Sequence, residues 1–224
     1  METVRVIDHP AVADRLARIR DVSTPAPTFR RLVEEIGVFL AYEATRELGM
    51  RDDRVTTPLG PAEVRRIEHR PVVAPILRAG LGLLPGFLAV VDDAVVAHLG
   101  FFRDPETLAA VPYYANLPAD LSTAAVFALD PMLATGHSGT AALDLLAGRG
   151  ATRIAFLCVL AAPAGIAYMH AKYPTVPIVT CAVDERLNDH GYIVPGLGDA
   201  GDRMFGSASS VPAGYHVRKN PASS

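Results

Sequence analysis

Residues 124–146 read AAVFALDPMLATGHSGTAALDLL. An apolar run, 124–129, ends in Asp130. A short turn follows, and Thr135-Gly136-His137-Ser138-Gly139-Thr140 opens a helical segment over 138–147. The run lacks in/out alternation, as expected of a strand covered on both faces in a parallel sheet. Four further runs share this texture, at 72–76, 94–99, 154–160 and 177–183, with helical segments at 81–90 and 164–172 between them. Strand, helix, strand repeated in this way predicts an α/β domain with a central parallel sheet flanked by helices and right-handed crossovers.

Outward from this core the texture changes. The first fifty residues read as helical. Phe29, Leu32, Val33, Ile36, Leu40 and Ala44 recur at three- or four-residue steps, with Thr28 as the expected N-cap and Gly49 as the stop. Residues 101–122 form a connection long enough to be a lid or a projecting arm, and its Tyr113 and Tyr114 favour self-association. Five glycines between 184 and 206 predict an irregular loop. The small, polar residues of 207–224 predict a disordered tail. The expected organisation is one domain over 1–206: N-terminal helices 1–50, a core over 70–183 carrying the arm 101–122, and the segment 184–206.

With 224 residues, half of them apolar and a fifth charged, the chain can hide roughly 70% of its unfolded surface without disulfides. A net charge of −3 argues against a protein that grips nucleic-acid phosphates, so no nucleic-acid partner is expected. Cys158 and Cys181 lie in apolar runs, which excludes a disulfide scaffold and suits a reducing cytoplasm. No membrane span or secretory signal is expected.

The turn after Asp130 carries the chemistry. Successive backbone N–H groups and hydroxyls at a helix amino terminus cradle a phosphate monoester. Asp130, at a strand's carboxyl end, is placed to accept from ribose hydroxyls. The loop lacks the lysine of a nucleoside-triphosphate P-loop, and Gly80-Leu81-Gly82 continues to Pro85 where a dinucleotide fingerprint needs glycine. Arg78, in another glycine-rich turn, and Arg103 suit a second, more highly charged group such as pyrophosphate.

PILRAGLG (75–82), DPMLATG (130–136) and LNDHGYIVPGLGDAGDR (187–203) together resemble the uracil phosphoribosyltransferase family, over residues 9–206. The resemblance implies a type I phosphoribosyltransferase fold whose irregular hood, 184–206, covers the site. It also implies conversion of uracil and 5-phospho-α-D-ribose 1-diphosphate (PRPP) to UMP and diphosphate, in pyrimidine salvage. Arg78 and Arg103 would contact the diphosphate of PRPP and Asp130 the ribose. Pro131, Met132, Leu133, Ala134, Thr135, Gly136, His137 and Ser138 would wrap the 5-phosphate. Ile193, Gly198, Asp199 and Ala200 would hold uracil through main-chain groups, Asp199 also lying near PRPP. Arg78, Arg103, Asp130 and Asp199 are thus the candidate catalytic residues.

Magnesium is implied too, held mainly by the PRPP diphosphate and water; no protein metal ligand is expected, because Pro131 stands where many relatives have a second acid. Homo-oligomers and a GTP effector are further implications. Main-chain recognition suits uracil, whose two carbonyls and N3–H can pair with closely approaching backbone. Cytosine would leave a buried carbonyl unpaired, a penalty of roughly 1–3 kcal/mol. His137 departs from the small residue usual in this loop, and its ring can face outward or toward the phosphate. Ala164 replaces a family glutamate. Two alternatives stand beside this reading: a phosphoribosyltransferase for another nucleobase, and a non-catalytic regulator binding UMP or RNA.

Overall fold

The computed structural model describes residues 3–103 and 110–206. The Arg103 side chain, residues 104–109 and the tail 207–224 lie outside it. In chain order the elements are β1 (Val4–Val6), α1 (Pro10–Arg20), α2 (Ala26–Ala44), β2 (Met50–Thr57), β3 (Gly60–Ile67), β4 (Val72–Leu77), α3 (Leu84–Val90), β5 (Val95–Val96), β6 (His98–Arg103) and β7 (Ala110–Asn116). There follow β8 (Ala125–Leu129), β9 (Met132–Leu133), α4 (His137–Ala147), β10 (Arg153–Ala161), α5 (Pro163–Lys172), β11 (Ile178–Val183), β12 (Arg186–Leu187), β13 (Ile193–Val194) and α6 (Ala200–Phe205). The main sheet runs β1-β11-β10-β8-β4-β6-β7, with β5 also on β4 and β9 also on β10. All its pairs are parallel except β6 with β7.

The unalternating strands are explained by two cores. Val73, Phe127, Leu129, Leu157 and Val159 pack with α1, α2 and α3 on one face. Val72, Ala74, Val126, Ala128, Phe156 and Cys158 pack on the other, with Leu143 and Leu146 of α4 and Met169 of α5. Neighbouring residues point to opposite faces of a strand, and here both faces are dry. Pro75, which lacks an N–H, falls where β4 changes partner from β5 to β6, a gap in that side of the ladder.

Several expectations need correction. Val4–Val6 is a strand at the sheet edge, not helix. α2 begins at Ala26 after Pro25, because a proline in the first turn fits the helix start, so Thr28 lies inside the helix and is not its cap. The α-helix ends at Ala44 and tightens into a 3-10 turn over Thr45–Glu47, where the Thr45 hydroxyl donates back to Ala41 O at 2.7 Å, before Gly49 is reached. The run at 94–99 is divided between β5 and β6. Within 101–122, β7 lies antiparallel on β6 at the sheet edge, and residues 104–109 lie outside the described residues. The glycine-rich segment 184–206 contains the β12–β13 pair and α6 besides its turns.

Candidate active site

β4 and β8 run parallel side by side, so their carboxyl ends deliver the turns after Leu77 and Leu129 to one place. A methyl on Gly80 would sit 2.3 Å from Leu129 O, so the 78–82 turn lies directly against the strand end that carries Asp130. The Asp130 amide donates to Leu157 O at 3.1 Å, and its Oδ1 accepts from the Met132 amide at 3.3 Å. Burial pushes the Asp130 carboxyl up to about 7; the Met132 hydrogen bond opposes this and the nearby Asp199 charge adds to it.

Beyond Asp130 the chain makes one short pairing with β10 through β9 and then turns into α4. The turn residue is Gly136, at φ +84°, a left-handed conformation that costs an L side chain roughly 1–2 kcal/mol. Among the described residues no side chain caps the α4 amino terminus. Its first-turn N–H groups are thus left without a side-chain acceptor, the kind of terminus that can take an anion. Leu133 is 1% exposed, its side chain in the core, so it can serve a ligand only through its backbone. Ser138 is exposed. The His137 ring packs edge-on to Tyr168 of α5, centroids 4.5 Å apart, with Nδ1 buried and without a hydrogen-bond partner among the described residues.

Opposite stands the segment 184–206. A cavity of about 210 Å³ has Ala79, Asp130, Met132 and Ala134 on one side and Gly191, Tyr192, Ile193, Gly198, Asp199, Ala200 and Gly201 on the other. The four residues expected at uracil therefore share one cleft with Asp130. Ile193 is 4% exposed, its side chain packed inward. Asp199 caps α6, accepting from the Asp202 amide at 2.8 Å. Arg78 does not line the cavity; its exposed guanidinium meets Asp202, which lines the outer groove, at 3.3 Å. The backbone of Arg103 ends β6, and its side chain lies outside the described residues. Ala164 is exposed in the first turn of α5. Ala79, Gly191, Tyr192 and Gly201 line the cleft without having been singled out, although each lies inside or beside a quoted motif.

Larger grooves exist, of about 630 Å³ between β1 and α2 and about 590 Å³ outside the 195–206 turn. Neither gathers the strand-end residues, and chemistry rather than volume selects the smaller cleft. Among the described residues no three His, Cys, Asp or Glu side chains converge as metal ligands.

Comparison with known proteins fits this geometry. The uracil phosphoribosyltransferase family model matches residues 6–207. A curated uracil phosphoribosyltransferase of Staphylococcus aureus (strain Newman) is 48% identical over 208 residues, 92% of this chain and 100% of that one. Among solved structures, the AQ2163 protein from Aquifex aeolicus is 38% identical with a TM-score of 0.87, covering 91% of this chain and 98% of its own. The adenine phosphoribosyl transferase from Trypanosoma brucei, solved with AMP, pyrophosphate and ribose-5-phosphate, is 14% identical with a TM-score of 0.56, over 82% and 84% of the two chains. That likeness speaks for the fold, which is the type I phosphoribosyltransferase fold. A match running almost end to end, at nearly half identity, places this chain in the uracil phosphoribosyltransferase family.

Proposed function

We propose that the chain transfers the 5-phosphoribosyl group of PRPP to N1 of uracil, giving UMP and diphosphate in pyrimidine salvage. The observation that carries the reading is the single cleft in which Asp130, Met132 and Ala134 face Ile193, Gly198, Asp199 and Ala200, in a chain so similar to curated uracil phosphoribosyltransferases.

In this reading the uncapped α4 terminus and residues 131–138 anchor the 5-phosphate, and Asp130 accepts from the ribose hydroxyls. The backbone of 193–200 pairs with the edges of the base. Transfer at the anomeric carbon develops positive charge on the ring and negative charge on the departing diphosphate, so catalysis is mostly positioning and electrostatic stabilisation. Arg78 and Arg103 take up the charge of the leaving group. Magnesium carried on the diphosphate oxygens and water would supply further positive charge there. The N1 proton leaves with the diphosphate. His190 is exposed in a turn, its amide donating to Asn188 Oδ1 at 3.0 Å, and lies outside the cleft lining.

Exposed Phe102, Tyr113 and Tyr114 on the β6–β7 edge support a homodimer or higher oligomer. GTP as an effector rests on the family resemblance. Two free, buried cysteines support a cytoplasmic home, and no helix of the described residues is long and apolar enough to cross a membrane.

Purified protein incubated with magnesium, PRPP and labelled uracil, cytosine or guanine tests the reading. UMP from uracil alone is the expected product. A nucleotide from another base instead identifies a different phosphoribosyltransferase, and no product with tight UMP binding identifies a regulator.

A further inference from the structure

The wall that faces the base has little regular structure of its own. β12 and β13 span two residues each and α6 six, with turns between them. Much of its support comes from the first thirty residues of the chain. Arg20, the last residue of α1, sets Nη1 on Asp184 Oδ2 at 2.7 Å and Nη2 on Asp184 Oδ1 at 2.6 Å, fork on fork. The same Nη1 donates to Gly196 O at 2.8 Å, while Asp184 Oδ2 accepts from the Gly196 amide at 2.8 Å. One ion pair therefore holds both backbone polar groups of Gly196. That residue sits at φ +60°, and a Cβ on it would lie 2.1 Å from Ile193 O, so only glycine fits. Ile193, three residues earlier, and Gly198, two later, both line the cleft.

The groove on the outer side is lined by Arg20, Gly196 and Arg203 among others, and Gly198 and Asp199 border both the groove and the cleft. Along that stretch the wall is one backbone thick, with arginines behind it. Arg203 ties its lower end, donating to Leu197 O at 2.9 Å and Asp21 O at 2.6 Å with its guanidinium over the Phe29 ring. Asp184 is 7% exposed. Burial alone would raise its carboxyl, but the Arg20 hydrogen bonds, the Gly196 amide and the Arg20 charge hold it below the usual range.

We infer that Arg20 and Asp184 are positioning residues for base recognition: without touching the pyrimidine, they fix the backbone of 193–200 in the register that pairs with it. This rests on the uracil reading above. A backbone that reads a base by hydrogen bonds must be held to about 0.5 Å, which a planar, two-pronged guanidinium does and a flexible ammonium does not. The phosphate loop and Arg78 belong to other elements, and Asp199, the residue of this wall read as near PRPP, is held by its own hydrogen bond from the Asp202 amide at the start of α6, so the effect falls mainly on the base. A purely structural role would instead weaken both substrates together.

The test compares full-length wild type, Arg20→Lys and Asp184→Asn by thermal melting and by steady-state kinetics with each substrate varied. For Arg20→Lys the KM for uracil is expected to rise about tenfold, while kcat and the KM for PRPP stay within about twofold. Asp184→Asn is expected to move uracil KM the same way by less, and it decides the matter if Arg20→Lys does not melt cooperatively. An unchanged uracil KM in a folded variant, or both KM values rising together, overturns the assignment. Wild-type protein that makes no UMP refutes the catalytic reading and this assignment with it, whereas turnover with an unmoved uracil KM refutes the assignment alone.

Discussion

Asp130 carries the strongest electrostatic consequence in the cleft. Its carboxyl moves from 3.8 to about 7 on folding, through burial and then the Asp199 charge. Between those values the folded chain keeps a proton that the unfolded chain has lost. Stability therefore falls as pH climbs through that window, and the cost is complete above about pH 7. Asp130→Asn removes the charge, so the variant is expected to melt a few degrees above wild type at pH 8, roughly the effect of 1–2 kcal/mol, and to match it near pH 4. The same variant is expected to lose about a hundredfold in turnover, since in the proposed reading the carboxylate faces developing positive charge. In wild type, kcat/KM for PRPP should show an acid limb near pH 7, and Asp199→Asn should move that limb to lower pH. A limb that stays put in Asp199→Asn assigns the titration to another group. His137 makes a contrasting case, because its ring leans on Tyr168. His137→Ala is expected to lower the melting temperature by about 2–4 °C, the worth of one aromatic contact, and to leave the KM for PRPP within about twofold. A tenfold rise in that KM would put the imidazole on the phosphate.

Among the elements, the turn into α4 gives the sharpest expectation. Gly136→Ala forces an L side chain into φ +84° and brings its methyl to 2.8 Å from Gly165 O and 3.1 Å from the Tyr168 ring. The turn must open, and the N–H groups it aims must move. The expected result is a loss of roughly 2 kcal/mol in stability together with at least a tenfold rise in KM for PRPP. Stability lost with the PRPP KM intact would mean that the phosphate sits elsewhere. This turn was legible in the sequence because a continuous apolar strand, an acid, glycines and hydroxyls leave few alternatives. The face of α2 was legible for a similar reason, Phe29, Leu32, Val33, Ile36 and Leu40 all proving buried. The β2–β3 hairpin was not. Its strands carry Arg51, Asp52, Asp53, Arg54, Arg65 and Arg66, joined by cross-strand ion pairs such as Arg66 to Asp53 at 2.9 Å, and Ile67 at its end packs against the core, so no apolar period announces it. β1 is three residues long and exists because β11 offers it an edge, a tertiary cause that no local window contains. In the cleft, Asp130 and the 193–200 backbone could be placed from motif and strand end. The Arg20 to Asp184 clamp could not, since it joins residues 164 positions apart.

At the scale of the whole molecule, the parallel sheet brings together groups from distant stretches of chain. Arg78 follows β4, the proposed phosphate loop follows β8, and the proposed base wall lies past β11 and is strapped back to α1. PRPP is expected to bridge the first two, so its parts should report on them separately in the intact protein. At a hundred times its Kd, with magnesium, PRPP should stabilise by about 2.7 kcal/mol, a rise of about 5–10 °C in melting temperature for a chain of this size. Diphosphate alone is expected to engage the arginine side and ribose 5-phosphate alone the α4 turn, each with a smaller shift. Arg78→Ala should barely change the melting of the free protein, because the ion pair it breaks with Asp202 is exposed on both sides and such pairs are worth about 0–1 kcal/mol. It should, however, abolish most of the diphosphate shift while sparing the ribose 5-phosphate shift. With a net charge of −3 the protein as a whole does not attract these anions. The diphosphate shift should therefore come from local cationic groups and shrink as salt is raised, the Debye length falling from about 10 Å at 0.1 M to about 3 Å at 1 M. A diphosphate shift that persists undiminished in Arg78→Ala would remove that arginine from the leaving-group site and leave the charge of the departing diphosphate to Arg103 and the metal.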